Sequence, residues 1–273
     1  MLQTLASWVP RRWLSRVSSW QFQNRALYHA IQFGAGMFRG RDGIIQRGAG
    51  RGLRFNTTAN LGYLFGTSEP HVQQALTELL KPGDVLYDIG ANVGFFAIIG
   101  ARLVTNAGRV ECFEPVEANV RQVEHNAQIN GFTHVRVFPW ALSDEEGEVS
   151  FAVSSEPTLG RIVDGQAQLP REHKGITKVR ARRLDDVARE ESLAPPNLIL
   201  MDVEGAEAKA LLGGEKLIRA HRPTLLIELH GTQCQIAELL SHWDYRAEVI
   251  GSPGQQVRDA VWNAHVLAVS SGA

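Results

Sequence analysis

The chain changes rhythm near residue 70. From there on, short apolar runs alternate with stretches of helical spacing. Val72, Ala75, Leu76, Leu79 and Leu80 fall on one helical face, and Pro82-Gly83 stops the pattern. The run Val85–Ile89 predicts a buried strand, followed by a helix around Gly94–Val104 and a second strand at Arg109–Phe113. Val116, Val120, Val123 and Ala127 predict the next helix, and Val135–Pro139 and Val149–Val153 two more strands. Strands resume at Leu198–Met201 and Thr224–Leu229. Each is followed by helical spacing, first Ala206, Ala210, Leu211 and Leu217, then Ile236, Leu239 and Leu240. Tyr245–Ile250 and Ala260–Val269 have no helical pattern between them, so the last pair is predicted to be antiparallel. Strands alternating with helices imply an α/β fold with a mostly parallel sheet covered on both faces. Ligands then bind beyond the carboxyl ends of the strands.

Two regions lack this alternation. Residues 154–178 are polar, glycine-containing and poorly periodic, which suits a substrate lid. At the start, Pro10–Trp20 and Phe22–Phe33 read as short helices, and the Gly-Arg stretch Gly34–Gly52 as loop or turn-linked short strands. Charge sets this start apart. Residues 1–55 hold nine arginines and a single acid, Asp42, for a net +8, together with Trp8, Trp13 and Trp20. Residues 56–273 hold the other 19 basic and 28 acidic residues, a net −9, so the overall −1 conceals a division. We therefore divide the chain into a basic, Arg/Trp-rich extension (1–55) and a catalytic domain (56–273). The extension suits a cap over an acidic face or a contact with anionic lipid or glycan, with nucleic acid a weaker fit.

Nothing resembles a secretory signal, and the longest nearly apolar stretch, Val93–Ala101, is far short of a membrane span. Cys112 and Cys234 allow neither a disulfide framework nor a multi-cysteine zinc site. Both sit among apolar neighbours and read as core residues. A cytoplasmic location is expected, with peripheral membrane contact through the extension as its variant.

The strand ends carry the chemistry. The first ends in Asp88-Ile89-Gly90-Ala91-Asn92-Val93-Gly94, where glycines admit a ligand close to the backbone and the next helix offers its N-terminal amides. A dinucleotide fingerprint would have glycine at Asn92, and Asp88 would repel a pyrophosphate but attract a cation. The second strand ends in Glu114, twenty-six residues later, where a carboxylate can accept both hydroxyls of a ribose. A cationic, ribose-bearing ligand without phosphate points to S-adenosylmethionine. Ser143-Asp144 follow the third strand, and Asp144 is placed either to accept from an adenine amino group or simply to make a turn. The fourth and fifth strands run into Asp202-Val203-Glu204-Gly205-Ala206-Glu207 and Glu228-Leu229-His230-Gly231. Asp202, Glu204, Glu228 and His230 thus share one sheet edge, a costly arrangement unless the carboxylates are used. The bland alternative is that Asp202 and Glu204 only favour the next helix N-terminus.

Several segments, in one collinear order over about residues 50–235, resemble the FkbM-type methyltransferases. They are Gly66-Thr67-Ser68-Glu69-Pro70, Pro82-Gly83-Asp84, Asp88–Phe96, Phe113-Glu114-Pro115, Asn126 to Asn130-Gly131, Ala141–Asp144, Asp202–Glu207 and Glu228-Leu229-His230. The resemblance implies a Rossmann-like, seven-stranded class I methyltransferase fold with S-adenosylmethionine as donor. It also implies O-methylation of a hydroxyl on a sugar, glycolipid or secondary metabolite. Ser68 departs from the aromatic that often precedes the glutamate, which leaves Glu69 a candidate cofactor contact.

The expected cofactor residues are therefore Glu69, Asp88, Gly90, Asn92, Gly94, Glu114, Ser143, Asp144 and Asp202. His230 is the expected general base, because an unperturbed imidazole titrates near neutrality, with Glu204 or Glu228 holding its tautomer or binding substrate hydroxyls. The competing reading gives Asp202, Glu204, Glu228 and His230 a divalent cation, magnesium or manganese by the hardness of the ligands. His71, His173, His221 and His265 show no ligand spacing and receive no role, and His125 is expected to be solvated. A nucleic-acid methyltransferase is disfavoured because Asp-Val-Glu-Gly stands where amino-group enzymes commonly carry an Asn/Asp-Pro-Pro-aromatic loop. A non-catalytic cofactor-binding protein is disfavoured by the intact strand-end set.

Overall fold

The computed structural model of the chain describes residues 40–57, 61–154, 160–162 and 173–271. The helices expected at Pro10–Trp20 and Phe22–Phe33, with Trp8, Trp13 and Trp20, lie outside the described residues.

A seven-stranded sheet organises the described chain, in the order β12-β13-β11-β10-β3-β4-β5. Its strands are β3 (Val85–Ile89), β4 (Arg109–Phe113), β5 (Val135–Phe138), β10 (Leu198–Met201), β11 (Thr224–Glu228), β12 (Tyr245–Val249) and β13 (His265–Ser270). Five are parallel neighbours; β13 runs antiparallel between β11 and β12. This is the mostly parallel α/β sheet with an antiparallel last strand that the sequence predicts. Successive side chains point to opposite faces, so the strands divide the core in two. Tyr87, Ile89, Ile199, Met201, Leu225 and Ile227 fill one side with Trp243. Leu86, Leu198, Leu200 and Leu226 fill the other with Ile98 and Ile99.

Helices cover both faces. They are α1 (Leu61–Phe65), α2 (Pro70–Leu79), α3 (Phe95–Val104), α4 (Glu117–Ile129), α5 (Leu184–Glu190), α6 (Glu207–Gly213), α7 (Glu215–His221) and α8 (Gln233–His242). The spacing Ala206 to Leu217 is shared by two helices, because Gly213 and Gly214 interrupt it. A side-chain carbon on Gly213 would lie 2.0 Å from the Ser143 carbonyl oxygen, so the chain passes there only without one. Of the two cysteines, Cys112 is buried as expected but Cys234 is exposed, on the solvent side of α8. Its apolar sequence neighbours face inward instead, with Ile236 and Leu240 buried.

The strands β1 (Arg41–Ile44) and β2 (Arg54–Thr57) pair antiparallel, as turn-linked short strands should. They lie against packed core, although the charge division places β1 and the first half of β2 in the extension. Ile45 and Phe55 are fully buried, and Leu53 nearly so. Asn126, also fully buried, accepts the Asn56 N–H at 2.7 Å and donates to the Val93 carbonyl at 2.8 Å. Asn130 exchanges two hydrogen bonds with the Arg54 backbone, and His125, expected to be solvated, lies 2.9 Å from Asp42. Part of the expected lid is also regular. β6 (Ala141–Leu142), β7 (Gly147–Ser154), β8 (Gly160–Ile162) and β9 (His173–Arg182) form a second sheet, in which β7 and β9 pair antiparallel. Residues 155–159 and 163–172 lie outside the described residues.

Candidate active site

The strand order reverses between β3 and β10, one leading outward through β4 and β5 and the other through β11. A crevice forms at such a switch point. β3 brings Asp88 there and β4 leads into Glu114; β10 leads into Asp202 and Glu204, and β11 ends in Glu228 and leads into His230. β13, running the other way, begins at this edge, and its first residue, His265, is paired with Glu228. Glu69 enters from the turn before α2, and Tyr63 from α1 lines the same cavity as Glu69, Asp88, Asp202, Glu228 and His265.

The glycine loop is shaped by close approach. Gly90 has φ 86°, and a Cβ there would lie 1.8 Å from the Asp202 carbonyl oxygen, so β3 and β10 meet only because it has none. Gly94, at φ 83°, leads into α3 against Val123. Glu114 accepts the Asn92 and Val116 amides at 2.9 Å each. Burial nevertheless outweighs those bonds and pushes its carboxyl up to about 7. Asp88 is 2% exposed, and its Oδ2 is buried without a hydrogen-bond partner. Burial, reinforced by the charges of Glu114 and Glu69, raises it to about 7. Asp202 has one oxygen buried without a hydrogen-bond partner, and burial together with the Glu228 charge holds its carboxyl well above the usual range. Such orphaned acceptors in an acidic cradle fit a ligand that carries positive charge and hydroxyl donors.

Ser143 and Asp144 are placed differently. They stand beyond β6, with Ser143 donating to Asp144 at 3.0 Å and Arg183 bonding the Asp144 carbonyl. Neither residue lines the cavity formed by Glu69, Asp88 and Asp202.

Around His230 the carboxylates converge. Its Nε2 lies 3.6 Å from Glu228, 3.7 Å from Glu204 and 3.9 Å from Asp202. The residue that fixes the ring is Glu207, rather than Glu204 or Glu228. From the first turn of α6, fully buried, it meets Nδ1 at 3.0 Å and also accepts the Thr232 hydroxyl at 2.6 Å and the Gly205 amide at 2.8 Å. Burial would raise this carboxyl, but those three donors outweigh it and hold it below its ordinary value, ionised. Burial opposes charge on His230 too, yet the Glu207 bond and the carboxylates of Glu204 and Asp202 prevail and lift it to about 9. Within this ring of acids the imidazole therefore lies above the ordinary histidine range on which its expected role as base rests.

Two histidines without an expected role also belong here. His265 Nε2 lies 3.2 Å from Glu69 and 3.5 Å from Glu228, and its Nδ1 lies 2.9 Å from His71 Nε2. Burial and the neighbouring His265 hold His71 below its ordinary value. The antiparallel last strand was the available signal, since its first residue must return to the functional edge. Among the described residues two trios present ligand atoms within 4.8 Å of one another: Asp202, Glu204 and His230, and Glu69, Glu228 and His265.

The sequence match settles the family. The Methyltransferase FkbM domain matches residues 88–247, more than half of the chain and every strand end of the crevice except that of β13. This chain belongs to the FkbM methyltransferase family. Relatives of this FkbM-family chain include 2-O-methyltransferase NoeI of Sinorhizobium fredii, 32% identical over 57% of this chain and 68% of that protein. The 31-O-demethyl-FK506 methyltransferase FkbM of Streptomyces tacrolimicus is 28% identical over 59% and 71%. Hexuronic acid methyltransferase AglP of Haloferax volcanii is 25% identical over 59% and 62%. Among the described residues no helix is long and apolar enough to cross a membrane.

Proposed function

We propose that this chain transfers a methyl group from S-adenosylmethionine to a hydroxyl of a sugar, glycolipid or secondary metabolite. The observation that carries the reading is the His230–Glu207 pair. A buried, ionised Glu207 fixes Nδ1, so that Nε2 faces the acidic crevice. Two relatives are named for O-methyl chemistry and one for a hexuronic acid, which supports hydroxyl-bearing substrates.

When bound, S-adenosylmethionine supplies an activated methyl group on a sulfonium, so the protein must align the hydroxyl and remove its proton. Asp88, Glu114 and Glu69 would hold the donor, with Gly90, Asn92 and Gly94 as the backbone cradle. Asp202 borders both donor and acceptor spaces. Ser143 and Asp144, which do not line this cavity, are given no part in holding the donor. Glu204 and Glu228 would accept hydrogen bonds from acceptor hydroxyls, and His230 Nε2 would take the proton of the attacking one. An imidazole near 9 is mostly protonated at neutrality, but a cationic ligand placed among the same carboxylates opposes that proton and lowers the imidazole pKa.

Labelled-methyl transfer to a set of glycosides, glycolipids and polyhydroxylated metabolites tests the reading. His230→Gln should lose turnover by about a hundredfold or more while still binding S-adenosylhomocysteine. Full turnover in that variant would remove His230 as base. The second reading rests on the convergence of Asp202, Glu204 and His230, whose ligand atoms lie within 4.8 Å of one another and would suit a magnesium or manganese ion that acidifies the hydroxyl. Activity that survives exhaustive chelation rules it out. Activity lost to chelation and restored by either metal establishes it.

A further inference from the structure

Next to the acidic crevice stands an exposed indole that none of the roles above uses. Trp262 is 58% exposed and its neighbour Val261 68% exposed, large apolar surface that solvent alone would not favour. The ring does not hang free. Its centroid lies 6.2 Å from that of His230 at an interplanar angle of 76°, edge to face. Its six-membered ring lies over Gly231, where a side-chain carbon would come within 2.7 Å of the indole. The loop that carries Trp262 is pinned to the segment that carries His230. Leu229 donates to the Ala264 carbonyl at 2.9 Å, and its own carbonyl accepts the Asn263 amide at 2.7 Å. A rigid aromatic face is thereby held beside the group that receives the acceptor's proton. Within reach of that same His230 are the carboxylates of Asp202, Glu204 and Glu228.

An apolar plate next to a row of hydrogen-bond acceptors selects a ligand with one apolar face and an edge of hydroxyl donors. A pyranose has that form: its axial C–H bonds make one face apolar, and its hydroxyls lie around the rim. We infer that Trp262 is the stacking platform of an acceptor subsite for a neutral pyranose, which it holds with one ring hydroxyl toward His230 Nε2. The rim, where three carboxyl groups surround a single imidazole, is acidic in balance and disfavours an anionic sugar, so the subsite takes neutral sugars in preference to uronic acids. This rests on the methyl-transfer reading for the position of the reacting hydroxyl and narrows its substrate class.

The test is saturation-transfer NMR on the full chain with S-adenosylhomocysteine present. The probes are methyl β-D-glucopyranoside, methyl α-L-fucopyranoside and methyl β-D-glucuronide. At least one neutral glycoside should receive saturation at its axial ring protons. Its affinity should fall about tenfold in Trp262→Ala, the equivalent of about 1.4 kcal/mol, and recover in Trp262→Phe. Affinity for S-adenosylhomocysteine should be unchanged in both variants, which a merely structural indole would not allow. Trp262→Gln serves in place of the alanine variant should that fail to fold. The inference is overturned if neither neutral glycoside binds, if truncating the indole leaves binding as in the wild type, or if the glucuronide binds as well as the neutral sugars. The two readings fail separately. Trp262-dependent glycoside binding without methyl transfer sinks the transfer reading and leaves the platform. Transfer to a non-carbohydrate hydroxyl with an indifferent Trp262 does the reverse.

Discussion

His230 shows how far a single side chain can be moved from its solution behaviour by its neighbours. Glu207 holds one nitrogen while Asp202, Glu204 and Glu228 surround the other, and the imidazole rises to about 9. Its raised pKa favours the protonated form, so base function is absent at low pH and appears as pH rises through that value. For the free enzyme, kcat/KM should climb with pH to a limb near 9. Glu207→Gln removes both a charge and the acceptor for Nδ1. It should shift the limb downward, toward the ordinary histidine range, and reduce kcat by about tenfold or more, because the ring loses its fixed orientation. A pH–rate profile of the two proteins checks this, and an unshifted limb would assign it to another group. At this scale the sequence was legible for Asp88, Glu114, Asp202, Glu228 and His230, each of which lies at or just past the end of a recognisable strand. It was not legible for Glu207. That residue stands in the motif, but only the first turn of α6 reveals that its side chain turns back under the histidine.

Among the elements, the pairing of β2 with α4 bears most directly on the glycine loop. Asn126 bonds both the β2 backbone at Asn56 and the loop backbone at Val93, from a fully buried position. Asn126→Ala would leave a buried amide and a buried carbonyl unpaired, at about 2–4 kcal/mol for the two together. The expected outcome is a lower midpoint in thermal or urea unfolding, accompanied by weaker S-adenosylhomocysteine binding as the loop after β3 loosens. Unchanged cofactor affinity at the lower stability would show that the loop holds its shape without this strut. The motif Asn126 to Asn130-Gly131 was visible in the sequence, yet its purpose needs a partner seventy residues upstream. Local patterns found the central strands because each is a short, mostly apolar run bounded by helical spacing. They missed α5, which is seven residues long with only Leu184 and Val187 buried, and they read β9 as loop because four of its residues, 175–178, are exposed.

The whole molecule divides at a different place from its charge. Net charge changes sign around residue 55, but among the described residues buried side chains occur from Ile45 onward, so the arginines at 41, 47, 51 and 54 lie beside packed core rather than apart from it. A chain lacking residues 1–33 should therefore retain its unfolding midpoint and its cofactor affinity, and should lose efficiency on its acceptor if the basic segment caps the acidic crevice. Identical acceptor kinetics would refute the cap. Removal through residue 57 should be far more damaging, since it strips Ile45, Leu53 and Phe55 from the core, at about 2–5 kcal/mol for each such aliphatic or aromatic side chain. Circular dichroism melts of the two truncations separate these cases. Strand order also has a consequence for how the molecule is made. β12 is synthesised before β13 and, among the described residues, pairs only with it, so β12 has no place in the described sheet until its successor arrives. The insertion that provides that place also delivers His265 opposite Glu228. During synthesis the completed sheet and the completed crevice thus come from one late event, and a chain halted earlier carries an orphan strand and an open catalytic edge together.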